Sequence, residues 1–236
     1  MEIINSHYIR LMNMKNLLIV FMAAAVFMAC KDEGNEDEVG SIGTAYYPIK
    51  VGSTWIYAVD SIAYDDNGPT QAIDTFRYKY KETITSTEVD GAGNTEYLVS
   101  RYFTPTDTGE NWQSVNRYVV QLVDNKIQRV EENVRLVKLV FPLKDRNSWN
   151  GNMFNGKEPL AYRVQEFKKG YLFNGTTVPS VKIDQYNVKN IIEEIRRYER
   201  YAENIGMVQL LFDSLNTQST GTKGFRYRLN LQSYTP

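Results

Sequence analysis

From Gly40 onward, apolar and polar residues alternate in short runs separated by turn residues, the period-two pattern of strands with one buried face. The segment FRYRLNLQSY puts Phe225, Tyr227, Leu229 and Leu231 on one face, with Arg226, Arg228, Asn230 and Gln232 on the other. FRYKYKETI sets Phe76, Tyr78, Tyr80 and Ile84 against Arg77, Lys79 and Lys81, and TWIYAVDSIAY presents Trp55, Tyr57 and Val59 together. Further strands are predicted around 94–104, 112–123, 126–131, 133–141, 160–168 and 177–188. The breaks between strands carry Asp-Gly and Asn-Gly chemistry: DDNGP (65–69), DGAGN (90–94), DN (124–125), NGK (155–157) and FNG (173–175). Such residues tolerate the positive φ of tight hairpin turns. The pattern predicts a mainly β chain, a single antiparallel, strongly curved sheet or open barrel over 44–236.

One segment breaks the pattern. NIIEEIRRYERYAENIG places Ile191, Ile192, Ile195, Tyr198 and Ala202 at helical spacing, with Asn190 able to cap the start and Gly206 beyond the end. The spacing predicts a helix near 190–203, with a long bent strand as the alternative. An internal echo joins YPIKVGSTW (47–55) to FPLKDRNSW (141–149), both ending in a Trp seven residues after a Pro. It suggests two halves of one sheet, each opening with a proline turn that delivers Trp55 or Trp149 into the core; coincidence is the alternative.

The N-terminal pattern is different. Leu17 to Ala29 is apolar but shorter than the about 20 residues of a membrane-spanning helix. With Lys15 before it and small residues at its end, it reads as an export signal over residues 1–29, its true start at Met12 or Met14. VFMAC resembles a bacterial lipobox, with Ala29 fitting the pattern and Phe27 departing from it, so cleavage and lipidation at Cys30 are expected. Disulfide and structural zinc readings of this cysteine fail because the chain has no second one. Residues 30–43, with the acids Asp32, Glu33, Glu36, Asp37 and Glu38, hold too little apolar surface to fold and read as a solvated tether. A basic residue followed by acids after such a cysteine resembles the surface-export signal of Bacteroidota lipoproteins. That resemblance implies a lipid-anchored outer-membrane protein facing outward. Two or more acyl chains on Cys30 would hold it stably in the membrane, where one would not.

Composition removes several chemistries. The 27 basic and 28 acidic residues give a net charge of −1, without the basic footprint of a nucleic-acid binder. The only histidine, His7, precedes the expected cleavage site. A mature chain from Cys30 would therefore lack Ser-His-Asp and Cys-His catalysis, histidine-ligated metal sites and a histidine pH switch. No catalytic residue, metal ligand or cofactor is assigned. Glu131–Glu132 and Glu193–Glu194 are the local carboxylate pairs a glycoside-active enzyme could use, although neighbours on a strand point to opposite faces. DDNG and DGAGN lack the closing Glu of a calcium loop and read as turns, and GTKG (221–224) lacks the setting of a phosphate loop. Trp112, in the polar stretch TDTGENWQ, is the candidate exposed aromatic for ligand binding, with strand-edge packing as its alternative. Asp60-Ser61-Ile62 and Asp213-Ser214-Leu215 resemble the O-glycosylation motif of Bacteroidota exported proteins, which would modify Ser61 and Ser214 in exposed loops.

YYPIKVGSTWIYAVDSIAYD, WNGNMFNG, YERYAENIGMV and GFRYRLNLQSY together resemble a group of uncharacterised Bacteroidota lipoproteins. These open after their tether with a Tyr/Phe-Pro-Leu-x-x-Gly-x-x-Trp-x-Tyr segment and close with an Ile-Gly-aliphatic motif and an alternating strand. The resemblance implies a single β-rich envelope domain, brings no catalytic residues, and favours strand over helix at 196–209. The combined expectation is a non-enzymatic outer-membrane lipoprotein that binds a glycan, a lipid or an envelope protein. A carboxylate-dependent glycoside-active enzyme is the alternative. A lipid carrier would need an apolar cavity inside the curved sheet.

Overall fold

The computed structural model describes residues 43–68, 70–105 and 111–236. Their strands form one antiparallel sheet built from two six-stranded meanders. The first runs β1 (Thr54–Asp65), β2 (Ala72–Val89), β3 (Thr95–Thr104), β4 (Gln113–Val123), β5 (Lys126–Glu131) and β6 (Val134–Val140). The second runs β7 (Ser148–Asn150), β8 (Ala161–Phe173), β9 (Thr176–Lys189), β10 (Glu193–Ala202), β11 (Gly206–Gln218) and β12 (Gly221–Thr235). Pairing of β1 with β12 joins the halves, giving the order β6-β5-β4-β3-β2-β1-β12-β11-β10-β9-β8-β7.

The sheet curls until its two edges meet, which leaves it nearly closed as a barrel. Across this seam the Val137 N–H on β6 donates to the Gly151 carbonyl just past β7 (2.9 Å), and the Asn155 side chain donates to the Arg135 carbonyl (2.7 Å). The indole N–H of Trp149 donates to the Val137 carbonyl (2.9 Å). Closure of this kind satisfies edge groups that would otherwise template aggregation. The sequence echo has a structural counterpart here. Trp55 and Trp149 each stand second in the first strand of a half, each is buried, and each indole donates to a backbone carbonyl, Trp55 to Ile205 at 2.6 Å.

Alternation sets which residues point inward. Direct partners run Tyr78–Val59–Leu229–Leu210–Glu199–Ile183–Val164 across β2, β1, β12, β11, β10, β9 and β8. Val59, Ile183 and Val164 in that row are fully buried, which identifies the inner face. The chain enters at the base through a 3₁₀ turn, Thr44–Tyr46, tied to the β10–β11 turn by Asn204 N–H donating to the Ala45 carbonyl (2.8 Å). Tyr234, at the C-terminal end of β12, stacks on Trp55 there with ring centroids 5.3 Å apart. The opposite end, the mouth, collects the connections β1–β2, β3–β4, β5–β6, β7–β8, β9–β10 and β11–β12.

The helix predicted near 190–203 is not formed; the segment is the β9–β10 turn and strand β10. Asn190 caps that turn instead, its side-chain oxygen accepting from the N–H groups of Ile192 (2.9 Å) and Glu193 (2.8 Å). Ile191 and Ile192, which suggested an apolar helix face, sit exposed at the tip. The true inward set is Ile195, Arg197, Glu199 and Tyr201, a period-two row hidden because two of its members are charged. The bulge opposite Arg200 and Tyr201 lies in β11, whose extra residue, Val208, is fully buried.

The interior is filled. A cavity of about 30 Å³ remains, reaching from Trp55 and Met207 at the base to Glu82, Arg129, Lys138 and Tyr201. That is room on the scale of a water molecule, so this cavity is too small to hold a lipid chain, although Ile84, Val99 and Val120 line it beside the charged groups. Trp149→Phe removes the indole donor at the seam and strands the Val137 carbonyl. It is expected to lower stability by about 1–3 kcal/mol in urea denaturation and to speed amide exchange at Val137; an unchanged midpoint would show that the seam bond contributes nothing.

Candidate functional site

The mouth is where the inner wall opens to solvent. One row above the fully buried one, direct partners run Phe76–Ser61–Tyr227–Phe212–Arg197–Tyr186 across β2, β1, β12, β11, β10 and β9. The next row outward is Asp74–Ala63–Phe225–Ser214–Ile195–Val188. Tyr186, Arg197, Phe212, Ser214 and Ile195 from these rows, with Leu160 from the β7–β8 connection, line a recess of about 210 Å³. Phe212 meets Phe225 edge-on at 4.9 Å, and the Arg197 guanidinium lies 5.0 Å from the Phe212 ring centre. On the facing wall Tyr78, Tyr80 and Phe103 form a second aromatic cluster, with Tyr78 lying 5.2 Å from each of the other two. Burial, together with the neighbouring Tyr80, pushes the Tyr78 hydroxyl up to about 12, so it stays a neutral donor at physiological pH.

Below the mouth lies a floor of buried charge. Arg101 bridges Glu82 (2.7 Å) and Glu131 (2.7 Å), Arg129 also binds Glu131, and Tyr118 donates to Glu82 at 2.8 Å. Across the lumen Lys138 of β6 pairs with Glu199 of β10, whose other oxygen accepts from the Tyr201 hydroxyl (2.5 Å). Burial works to raise the Glu199 carboxyl, but Lys138 and the Tyr201 hydrogen bond outweigh it and hold it at about 2. Glu131 is likewise held below its ordinary value, Arg129 and Arg101 overcoming the effect of burial. A glycosidase acid needs the reverse, a carboxyl kept protonated near neutral pH. These groups hold charge in place; they are not poised to donate protons.

Arg197 differs from the floor arginines. Its Nε is buried without a hydrogen-bond partner, and among the described residues no carboxylate lies within ion-pair distance of it. Glu199, two residues along on the same face, is already engaged by Lys138 and Tyr201.

The residues singled out from sequence lie elsewhere or at the edge of this site. Cys30 and the tether to residue 42 fall outside the described residues. Trp112 is half-buried at the β3–β4 connection, where Lys81 stands 4.7 Å from its ring centre and 4.9 Å from that of Tyr102, on the outer wall. Ser61 and Ser214 are half-buried strand residues on the inner face rather than loop residues, and Ser214 lines the recess. Glu131 belongs to the floor, Glu132 occupies the β5–β6 turn with φ 50°, and Glu193 and Glu194 open β10 on opposite faces. Asp65 and Asp90 accept backbone N–H bonds within their own turns, from Asn67 (3.0 Å) and Asn94 (2.8 Å). Among the described residues no three His, Cys, Asp or Glu side chains are grouped to hold a metal ion. Sequence reasoning missed Tyr186, Arg197 and Phe212. The available signal was an arginine at an inward, period-two position between Ile195 and Tyr201.

No family model and no curated protein matches the chain. It is similar to the crystal structure of a candidate lipoprotein from Parabacteroides distasonis ATCC 8503, at 12% identity and a TM-score of 0.38, covering 80% of this chain and 98% of that one. So slight a likeness carries neither fold nor function across.

The floor gives a pH prediction. Because the folded Glu199 carboxyl sits at about 2 against an ordinary 4.5, its contribution is complete above about pH 4.5 and is lost as pH falls toward 2. Glu199→Gln should therefore flatten the acid side of a stability profile measured by urea titration between pH 7 and 3. A variant whose acid limb matches the wild type would show that this carboxyl is not linked to folding.

Proposed function

We propose that the chain is an envelope lipoprotein, held to the outer membrane by acyl chains on Cys30, whose barrel is a binding module with its ligand site at the mouth. The ligand class that fits best is a glycan. The observation that carries the reading is the row of aromatic, hydroxyl and guanidinium side chains that ends the inner wall, above a floor fully engaged in its own charge pairs. Aromatic faces beside hydrogen-bonding groups suit sugar rings, and a preformed recess with a few convergent polar groups is the usual form of a small-ligand site. The anchor reading rests on the apolar run, the small residue before Cys30 and the acidic stretch after it. The mouth lies at the end of the barrel opposite the entry of the chain at Gly43, so a ligand can approach without meeting the entry turn.

Two measurements test the two parts. Wild-type protein is expected to partition into detergent with an acyl mass increment that Cys30→Ala lacks; a wild type that stays aqueous and unmodified would remove the anchor. On a glycan array, wild type should retain at least one sugar class and Tyr186→Ala should lose it. Trp112→Ala separates the outer wall from the mouth: if it alone abolishes retention, the site is on the outer wall. Retention of no glycan by any form would end the glycan reading.

A further inference from the structure

Arg197 is a half-buried cation on the inner face, and among the described residues no carboxylate lies within ion-pair distance of it. We infer that the recess around it is a carboxylate-recognition site for a single acidic sugar residue, a uronate, presented within a glycan. The inference rests on the mouth being the ligand site and specifies what that site selects.

The argument starts from charge. Arg197 is half-buried as a residue, but its Nε is withdrawn from water, and a buried donor of this kind is stabilised when an acceptor replaces its lost hydration. The other interior cations meet this need within the chain: Arg101 has Glu82 and Glu131, Arg129 has Glu131, and Lys138 has Glu199. Arg197 has the Phe212 ring and a buried Nε with no partner. Glu199 is bonded to Lys138 and Tyr201 and stands beyond ion-pair distance of Arg197. The missing acceptor is supplied if a ligand brings a carboxylate, which the planar guanidinium fork matches with two parallel hydrogen bonds.

Shape and lining narrow the ligand further. The recess, about 210 Å³, is smaller than the roughly 300–1,000 Å³ of drug-sized sites, so it admits one ring. Tyr186 is 44% exposed and offers a ring face for stacking. Phe212 is occupied in positioning the guanidinium and meeting Phe225, so it acts as a support. Ser214 adds a hydroxyl at the rim of the same recess, able to donate to or accept from a sugar hydroxyl. One stacking face, one carboxylate fork and one hydroxyl describe a pyranose ring bearing an acid group. The recess is open toward solvent at the barrel end, so the remainder of a chain can extend outward.

The test uses the purified full chain and calorimetric titration with trigalacturonate, its fully methyl-esterified counterpart and free galacturonate. The ester preserves the ring and removes the charge. Trigalacturonate and free galacturonate are expected to bind within about tenfold of each other, because the recess holds one residue. The ester should bind at least tenfold more weakly, Arg197→Gln should lose the same factor for the acid form, and Arg197→Lys should recover part of it. Raising the salt concentration should weaken the acid form only. Circular dichroism and thermal melts of the variants establish that they are folded. Equal binding of acid and ester, or undiminished binding by folded Arg197→Gln, overturns the inference. If the ester binds as well as the acid and Tyr186→Ala abolishes both, the mouth stands as a glycan site and only the carboxylate selectivity falls. If neither form binds, the inference falls, and the glycan array decides separately whether the mouth binds another sugar. Binding of a C-terminal peptide carboxylate in place of the sugar acids also overturns it.

Discussion

A carboxylate sealed inside a protein needs a cation beside it, and in this barrel the cation comes from the other half of the molecule. Lys138 reaches from β6 of the first meander to Glu199 on β10 of the second, across the lumen rather than along the sheet. Sheet pairing alone joins the halves at β1 and β12 and at the short seam between β6 and β7. The ion pair adds a connection across the lumen, beside the bonds of Trp55 to Ile205 and Tyr57 to Met207. Removing one partner from such a buried pair typically costs about 3–5 kcal/mol, because the other charge is left uncompensated. The pair therefore constrains the two halves to one distance, with the Tyr201 hydroxyl bonded to Glu199 and the Tyr162 ring centre 5.9 Å from Lys138.

The same constraint shapes the mouth. With Lys138, Glu199 and Tyr201 satisfied among themselves, and Glu82, Arg101, Arg129 and Glu131 among themselves, the floor has little polar capacity left over. Arg197, one pleat above Glu199, is the inner-face arginine left over. An apolar set around Ile84, Val99, Val120, Ile127 and Leu139 borders the charged groups, and Glu82 stands directly opposite Trp55. Along β2 the inner face runs from base to mouth as Ile84, Glu82, then Tyr80, Tyr78 and Phe76. It is a graded interior rather than a uniform core, and it leaves the last residues of the inner face half in water.

Much of this was legible in the sequence. Alternation in FRYRLNLQSY and FRYKYKETI identified β12 and β2 with their inner faces, and Asn-Gly and Asp-Gly placed the hairpins. The paired Pro-x6-Trp segments marked the starts of the two halves. What failed did so for one physical reason. Reading strands by hydrophobicity assumes that the buried face is apolar, whereas this lumen is wide enough to hold charges in pairs. Glu82 falls on the apolar face of FRYKYKETI, and Arg197 and Glu199 fall on the inner face of β10, so each looked like an error in the pattern when it was the pattern's content. The false helix at 190–203 and the missed Arg197 have this same origin. Pairing across the lumen, between residues as distant as Lys138 and Glu199, has no local signature.

The measurement that tests this account most directly is a double-mutant cycle on Lys138 and Glu199 by chemical denaturation, using Lys138→Met and Glu199→Leu singly and together. If the cross-lumen pair governs the interior, each single change costs about 3–5 kcal/mol and the double change costs far less than their sum, since an apolar pair replaces a charged one. Additive losses, with no coupling between the two positions, would contradict it.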